Sequence, residues 1–243
     1  MTKATPEIEA LAAERLAKDE ERITGAAGPG RRTGVTLGQS WRAFWRHPSP
    51  PMIAAFLIGS VVARIVVGGG SWWELLIPAG LIALFPVIEW LIHVGILHWR
   101  PRRLGPVRID SRLARDHRAH HADPRDIPLV FIPWKVLVWL LPAYLLYLLV
   151  MPTLSSGLTL LVSIYGMKFG YEWTHYLIHS DYKPKSRWYR AVWRNHRLHH
   201  YKNEHYWFTV TSAGTADRLF GTYPDPATVQ SSKTVKALHA TDV

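Results

Sequence analysis

Four long apolar stretches limit the folds open to this chain more than any other feature of the sequence. They lie near residues 52–68, 74–98, 129–151 and 155–179. A helix needs about 20 consecutive apolar residues to cross a bilayer, and each stretch reaches or approaches that length. Internal prolines such as Pro86 and Pro142 are compatible with membrane helices, where neighbouring groups satisfy the freed carbonyls. The sequence therefore predicts an all-α, polytopic membrane protein with four transmembrane helices.

The short connections and the basic residues predict how these helices are arranged. "GGGSWW" joins the first two stretches and "MPTLSSG" joins the last two, which indicates two helical hairpins. Segments 1–51, 99–128 and 180–243 hold 26 of the 29 Lys and Arg residues. Since basic residues accumulate on the cytoplasmic side of a membrane, both termini and the long middle loop are expected there. Arg64, inside the first stretch, is expected to extend its guanidinium to the outer interface rather than to have a functional role.

The chain is expected to divide into three parts. Residues 1–50 would form a cytoplasmic N-terminal helix, a linker and an interfacial helix; 51–222 would form the membrane-embedded domain, and 223–243 a polar C-terminal tail. The N-terminus has no apolar core region and is therefore not expected to be a secretory signal. In "SWRAFWRHPSPP" the aromatic residues, among them Trp41 and Phe44, share one side, which suits a helix in the headgroup region. A helix docked on the rest of the protein is the alternative.

Ten of the thirteen histidines fall into four groups at the cytoplasmic ends of the apolar stretches or just beyond them. The groups are "HVGILH" (His93, His98), "HRAHH" (His117, His120, His121), "HYLIH" (His175, His179) and "HRLHH" (His196, His199, His200). Residues three and four apart share one helix face, so each of the last three groups can direct its imidazoles into one space. The step from His93 to His98 turns about 140° on an ideal helix. That pair either serves two ions or requires a loosened helix before Pro101.

Converging imidazoles are costly to bury unless a metal ion coordinates their nitrogens. Ten nitrogens suit two ions with about five ligands each, and the chain has no cysteine, so any metal is bound through nitrogen or oxygen. Imidazole alone suits zinc, copper, iron and nickel. Structural zinc normally takes only four ligands, so this many nitrogens per ion favours an octahedral, redox-active ion such as iron.

Four carboxylates lie close to the histidine groups in the sequence: Glu89, Asp116, Asp123 and Glu172. They are expected to orient the imidazoles through hydrogen bonds or to bind the metals themselves. For Asp116 and Asp123, exposed salt bridges are an equal alternative. His205, in "NEHYWF", lies outside the four groups and is expected to support the metal ligands, to line the substrate pocket or to be a solvated loop side chain.

The order HxxxxH, HxxHH, HxxxH, HxxHH resembles the fatty acid hydroxylase and sterol desaturase superfamily of membrane di-metal oxygenases, over roughly residues 50–222. "HRAHHADPRDIPLVFIPW" looks like the second histidine group of the fatty acid 2-hydroxylase branch, and the later run that closes in "DRLFGT" is similar to the same branch. Two features depart from that pattern. Thr209 stands where such proteins usually have glycine, and the fused cytochrome b-type haem domain that eukaryotic relatives often carry is not expected in this chain.

The resemblance implies that the ten grouped histidines bind two iron ions, which zinc can replace during purification. It implies an O2-dependent oxidoreductase that hydroxylates a lipid acyl chain, at the 2-position, in a helical cap on the cytoplasmic face of the membrane. The expected location is the inner membrane of a bacterium. A separate ferredoxin or cytochrome with its reductase would supply the electrons, and no nucleic acid partner is expected. The aromatic residues Trp173, Tyr201 and Trp207 would line an acyl channel or belong to an interfacial belt.

Elementary chemistry favours the same class of enzyme, because side chains alone cannot break an unactivated C–H bond and a cofactor must do so. Three alternatives remain open at this point. A desaturase or a sterol or carotenoid oxidase would use the same site and differ only in its product. A zinc-dependent membrane hydrolase would need fewer ligands and an open coordination position. A metal transporter would place ligands near the bilayer midplane, whereas all ten histidines here lie at one end of the helices.

Overall fold

The structure, a computed structural model, describes residues 34–239, and this part of the chain is mostly helical. Its helices are α1 (Leu37–Phe44), α2 (Ser49–Val67), α3 (Leu76–Ile92), α4 (Arg112–Ala122), α5 (Ile127–Val130), α6 (Trp134–Ala143), α7 (Leu154–His179), α8 (Arg187–Tyr201) and α9 (Thr215–Leu219). A 3-10 turn, Trp72–Leu75, precedes α3, and another, Tyr144–Leu149, follows α6. A π-helix, His93–Leu97, continues α3. The helix predicted near the N-terminus lies outside the described residues.

Three helical segments are long and apolar enough to cross a membrane, and they coincide with the first three predicted stretches. They are Ser49–Val67, Trp72–Leu97 and Ile127–Leu149. The fourth stretch forms α7, a single helix of 26 residues. It does not meet the same standard of apolarity, because small polar residues together with Lys168 and Glu172 interrupt its apolar positions. Membrane crossing by α7 stays a prediction.

The helix α7 forms the centre of the described structure. A buried cluster joins it to α2 and α6 through Ile53, Leu137, Leu141, Leu158, Leu161 and Tyr165. Tyr165 donates a hydrogen bond of 2.7 Å to the carbonyl of Leu141, close to the point where α6 tightens from an α-helix into a 3-10 helix. Pro142 contributes to that change, because it has no N–H to donate to the preceding turn. The interior thus fixes α7 relative to both neighbouring helices.

The short helix α1 is docked on α7. Its Phe44 is completely buried and packs against Trp173, with ring centroids 5.0 Å apart. Trp41 meets the same ring edge-on at 5.1 Å while remaining 41% exposed. The aromatic side of "SWRAFWRHPSPP" therefore makes the protein contact that the docked-helix alternative requires, and the exposed parts of Trp41 and Trp45 lie beside it.

Arg64 does not extend freely into the outer interface as expected. It forms an ion pair of 3.1 Å with Glu74, a residue only 5% exposed, and its Nε donates to the hydroxyl of Thr159. Ser155 and Thr159 both donate hydrogen bonds to the Glu74 carboxylate. A buried carboxylate requires a partner charge and donors, and this requirement draws Arg64 inward. The result is a polar connection between α2, the start of α3 and α7.

A small antiparallel hairpin departs from the predicted all-α fold. Strands β1 (Arg102–Leu104) and β2 (Val107–Ile109) pair with Arg103 opposite Arg108. Gly105 turns the chain with a φ of 58°, which favours glycine. The hairpin lies between the π-helix and α4, and it separates the first and second histidine groups.

The two helices that carry the HxxHH groups begin in the same way. Ser111 caps α4 by accepting a hydrogen bond from the Ala114 N–H, and Ser186 caps α8 by accepting one from the Tyr189 N–H. Such a cap satisfies an N–H group that has no partner in the first turn, with a typical contribution of about 1 kcal/mol. Both helices therefore start at defined residues, and their histidines fall in the last turns.

Candidate metal centre

The structure brings all ten grouped histidines together in two sets of five. Site A consists of His93, His98, His117, His121 and His199. Site B consists of His120, His175, His179, His196 and His200. Within each site the five ligand nitrogens all lie within 4.8 Å of one another. Each set can therefore surround one ion, which agrees with the division predicted from the sequence.

The π-helix explains how His93 and His98 reach the same site. Their five-residue spacing equals the hydrogen-bond step of a π-helix, and the N–H of His98 donates to the carbonyl of His93 at 2.9 Å. The wider turn brings the two rings to 5.0 Å between centroids. Of the two possibilities left open by the sequence, the loosened helix is the one that the structure contains.

The helices α4 and α8 each contribute histidines to both sites. His117 and His121 of α4 belong to site A, whereas His120 belongs to site B. The pattern is reversed on α8, where His199 belongs to site A and the pair His196 and His200 to site B. Residues four apart differ by about 40° around a helix, and the residue between them in an HxxHH group is rotated by about 60° from the first and about 100° from the last. The spacing HxxHH thus supplies two ligands to one ion and one ligand to the other.

The distances between ring nitrogens suit a metal ion. His196 Nε2 lies 3.0 Å from both His175 Nε2 and His200 Nε2. At site A, His199 Nε2 lies 3.1 Å from His121 Nε2 and 3.2 Å from His98 Nε2. Adjacent nitrogens about 2.1 Å from one octahedral ion are separated by about 3.0 Å. A neutral ring nitrogen either donates or accepts, so a nitrogen facing two others is better satisfied by a shared cation.

Burial keeps these imidazoles in the neutral form that binds metals. His121 and His200 are fully buried, and burial, with a smaller contribution from the neighbouring imidazoles, holds the pKa of each well below its usual range. The same causes lower the pKa of His117 and of His196. Because a ligand must lose its proton to coordinate, neutral imidazoles require no deprotonation when an ion enters.

Backbone carbonyls orient several ligands from behind. His199 Nδ1 donates to the carbonyl of Tyr206 at 2.8 Å, and His93 Nδ1 donates to that of Phe208. His121 Nδ1 donates to the carbonyl of Val235 at 3.1 Å. A carbonyl only accepts, so each contact places the proton on Nδ1 and leaves Nε2 as the metal-binding atom.

Glu89 acts on this arrangement through the backbone rather than through an imidazole. It is buried, and it accepts hydrogen bonds from the N–H groups of Val210 and Thr211, both at 2.9 Å. Those residues lie two and three positions after Phe208, whose carbonyl holds His93. Glu89 therefore fixes the segment that orients a ligand, and its support of the metal site stays a prediction.

Asp217 is the buried carboxylate that sequence reasoning missed. It accepts hydrogen bonds from the backbone N–H groups of Phe208 at 2.8 Å and Thr209 at 3.0 Å, and from the Thr222 hydroxyl at 2.8 Å. The hydroxyl of Thr209 also donates to it. Asp217 and Thr222 are the first and last residues of "DRLFGT". The sequence therefore identified the motif as a feature of the family, but it did not predict that Asp217 holds the segment carrying Phe208.

The other three carboxylates predicted to support the site belong to neither set of five ligands. Glu172 accepts from the Ser49 hydroxyl at 2.6 Å and from the Ile132 N–H at 2.9 Å, and so ties α7 to neighbouring segments. Asp116 forms a salt bridge of 3.3 Å with Arg112. Asp123 accepts a hydrogen bond from the backbone N–H of Arg125. For Asp116 the salt-bridge alternative is the one observed.

His205 is an exposed loop side chain, which was one of its two expected environments. Its Nε2 lies 3.6 Å from Glu204, and its side chain is 69% exposed. It belongs to neither set of five ligand nitrogens. His205 therefore provides a natural control for substitutions of the grouped histidines.

A small cavity beside the two sites is lined mainly by apolar side chains. The lining residues are Leu97, Leu113, Asp116, His117, Leu129, Val130, Phe131, Ile132, Pro133, Tyr171 and His175. It touches His117 of site A and His175 of site B, so a molecule inside it would meet both. Asp116 is its one carboxylate. The aromatic residues expected to line a channel, Trp173, Tyr201 and Trp207, are not part of it.

Three membrane-length helices and two sets of five histidines, nine of the ten buried, define a membrane metalloprotein with a candidate di-metal centre. A model of the fatty acid hydroxylase family matches residues 78–222, more than half of the chain. The chain belongs to the fatty acid hydroxylase family, and is an oxidoreductase of that family.

One solved structure has a similar fold. It is full-length scs7p, of which only the hydroxylase domain is visible; the TM-score is 0.56 and the sequences are 21% identical. The match covers 82% of this chain and 71% of the other. At this identity the likeness concerns the fold alone. A comparison with curated proteins returned no significant match.

Proposed function

We propose that this protein is a membrane-bound di-iron oxygenase that hydroxylates a lipid acyl chain at its 2-position, using O2 and electrons from a separate donor. The observation that carries the proposal is the pair of five-histidine sites in a chain of the fatty acid hydroxylase family. A small cavity beside them adds an apolar wall that reaches one histidine of site A and one of site B. An alkyl chain has no polar group to recognise, so a wall of leucine, valine, isoleucine and phenylalanine is the surface that suits it.

The donor sets support iron. Each site offers five imidazole nitrogens, more than structural zinc uses, and none of the ligands is a thiolate. Iron bound at both sites would supply the oxygen chemistry that side chains lack. Two ions held by one protein frame also suit a reaction that uses two electrons from an outside donor. The donor is proposed to be a ferredoxin or cytochrome with its reductase.

The side chains of the cavity have definable tasks. Leu113, Leu129 and Ile132 would exclude water and contact the part of the alkyl chain nearest to the two sites. The polar end of the substrate would lie towards Asp116, the partly exposed carboxylate of the lining, through a donor group or a bridging water. The basis for proposing the 2-position is the resemblance of "HRAHHADPRDIPLVFIPW" to the fatty acid 2-hydroxylase branch.

The proposed topology has four membrane spans, with α7 as the fourth. A helix of 26 residues is about 39 Å long, enough to cross a hydrocarbon core of about 30 Å. Both termini and the two sites would face the cytoplasm, in the inner membrane of a bacterium. The proposed membrane domain is 51–222, with an N-terminal region over 1–50 and a C-terminal segment over 223–243.

The test is expression in a host that lacks hydroxylated acyl chains, followed by mass spectrometry of the total lipids. Gain of one oxygen at the carbon beside the carbonyl is the expected result. His120→Ala should abolish the product and the metal of site B, whereas His205→Ala should change neither. Loss of two hydrogens without a gain of oxygen would instead identify a desaturase. Release of free fatty acid by protein holding only zinc would identify a hydrolase.

A further inference from the structure

A segment beyond the family match lies against site A. The match to the fatty acid hydroxylase family ends at residue 222, and residues 223–239 follow it in the structure. We call residues 232–239 the C-terminal strap. Val235 is 8% exposed and Leu238 is 6% exposed, so the strap is packed against the protein. This differs from the polar tail expected from the sequence.

Glu204 anchors the strap. Its carboxylate is only 2% exposed, and its Oε1 accepts hydrogen bonds from the hydroxyls of Ser232 at 2.9 Å and Thr234 at 2.5 Å. The backbone N–H of Ser232 donates to the carbonyl of Lys202 at 2.7 Å. Lys202 and Glu204 lie within three residues of the end of α8, the helix that carries the fourth histidine group. The anchor therefore couples the position of the strap to the position of α8.

The strap contacts site A at two points. The carbonyl of Val235 accepts a hydrogen bond from His121 Nδ1 at 3.1 Å. His239 Nε2 donates to the backbone carbonyl of His98 at 3.1 Å. Both contacted residues belong to site A. At His121 the contact fixes which ring nitrogen carries the proton, so that Nε2 is free to bind a metal.

We propose that the C-terminal strap is a working part of the metal centre: through the Val235 carbonyl it positions His121 and retains the ion of site A, and Glu204 is the positioning residue that holds the strap in place. The proposal rests on the proposed function only in requiring that both sites bind a metal. Loss of a hydrogen bond behind a metal-binding histidine typically lowers metal affinity by about 10-fold to 100-fold. The strap should affect site A by this amount and leave site B unchanged.

The test variant is Ser232→Ala combined with Thr234→Val, which removes both hydroxyls that donate to Glu204. The matched control is Thr228→Val combined with Ser231→Ala, since both of these residues are exposed on the same C-terminal segment. The full chain is purified in nanodiscs, and Co²⁺ is titrated against a chelator. Wild type and control should bind two Co²⁺ ions with unchanged affinity. The test variant should bind one ion as before and the other about 10-fold to 100-fold more weakly.

A second measurement reports whether the strap is released. Trypsin cleavage after Lys236, a partly buried residue whose ammonium lies 4.2 Å from the ring centre of Tyr201, should be faster in the test variant. If cleavage accelerates and both Co²⁺ ions are still bound with wild-type affinity, the proposal is wrong. If the variant leaves the strap docked, Glu204 is not its anchor, and a chain ending at Pro226 then tests the strap itself by the same titration.

The outcomes separate this proposal from the proposed function. Co²⁺ affinity is measured without O2, electrons or lipid, so selective weakening of one site supports the role of the strap even in a chain that forms no hydroxylated lipid. Equal weakening of both sites would contradict a role confined to site A. A wild-type protein that binds fewer than two Co²⁺ ions would overturn the proposal outright.

Discussion

Removal of the Asp217 carboxylate should both destabilise the protein and weaken site A. In Asp217→Ala, the Thr209 hydroxyl can still donate to the Ser212 carbonyl, and the Thr222 hydroxyl can still donate to the carbonyl of residue 217, each at 3.4 Å. The backbone N–H groups of Phe208 and Thr209 lose the acceptor that the structure gives them. An unsatisfied buried N–H costs about 1–3 kcal/mol, so the two together predict a loss of about 2–6 kcal/mol in the free energy of unfolding.

Thermal unfolding of the metal-free protein measures this effect. A loss of about 4 kcal/mol in the free energy of unfolding lowers the unfolding midpoint of a chain of this size by roughly 10 °C. Displacement of the Phe208 carbonyl from His93 should also lower the metal affinity of one site by about 10-fold or more. Asp217→Asn should lie between Ala and wild type, because its amide keeps only one acceptor oxygen. The control Asp225→Asn changes an exposed aspartate of the following turn.

If Asp217→Ala unfolds within about 2 °C of wild type, the Asp217 carboxylate is not what satisfies the two buried N–H groups, because losing their acceptor would lower the midpoint by more than that. If the variant is destabilised but binds both metals as tightly as wild type, Asp217 does not position the ligand His93. That result would mean that the segment carrying Phe208 keeps its position without Asp217, and that Glu89 alone suffices to hold it.

Three further predictions concern the sites, the cavity and the outer end of the helices. The metal-free protein should lose stability as the pH falls below about 6.5, because the folded state holds the pKa of His121 and His200 below that of the unfolded chain; unfolding midpoints between pH 8 and pH 5 measure this, and a flat profile would contradict it. Leu113→Trp, which fills the cavity, should abolish acyl hydroxylation while both metals remain bound, and loss of metal would show that the residue acts on the sites instead. Arg64→Met should lower the unfolding midpoint more than Arg64→Lys does, with no change in metal content, because only the lysine variant keeps a charge beside Glu74; equal midpoints would refute a role for the ion pair.

The features that sequence reasoning captured are those with a local signature. Uninterrupted apolar runs identified the three membrane-length segments, since length and composition alone decide whether a helix can cross a bilayer. The spacing of the histidine groups identified all ten residues that the structure gathers, because residues three and four apart share a helix face. The division into five and five followed from their number.

The features that it missed depend on contacts between distant parts of the chain. His93 and Phe208 are 115 residues apart, and His121 and Val235 are 114 apart. In both cases the acceptor is a backbone carbonyl, and because every residue has one, the identity of the residue does not predict the contact. Arg64 was misplaced for a related reason. Its guanidinium was expected to point to the outer interface because Arg64 lies in an apolar stretch. In the structure the guanidinium points to Glu74, a buried residue of the next segment.

The sharing of α4 and α8 between the two sites has a consequence for how the centre is assembled. Because each helix supplies ligands to both sites, an ion that enters one site restricts the motion of the helices that also build the other. Each site nevertheless keeps its own affinity, because backbone carbonyls behind its ligands hold them independently of the other ion. The backbone amides of α4 and α8 should therefore exchange with solvent more slowly when either site is filled.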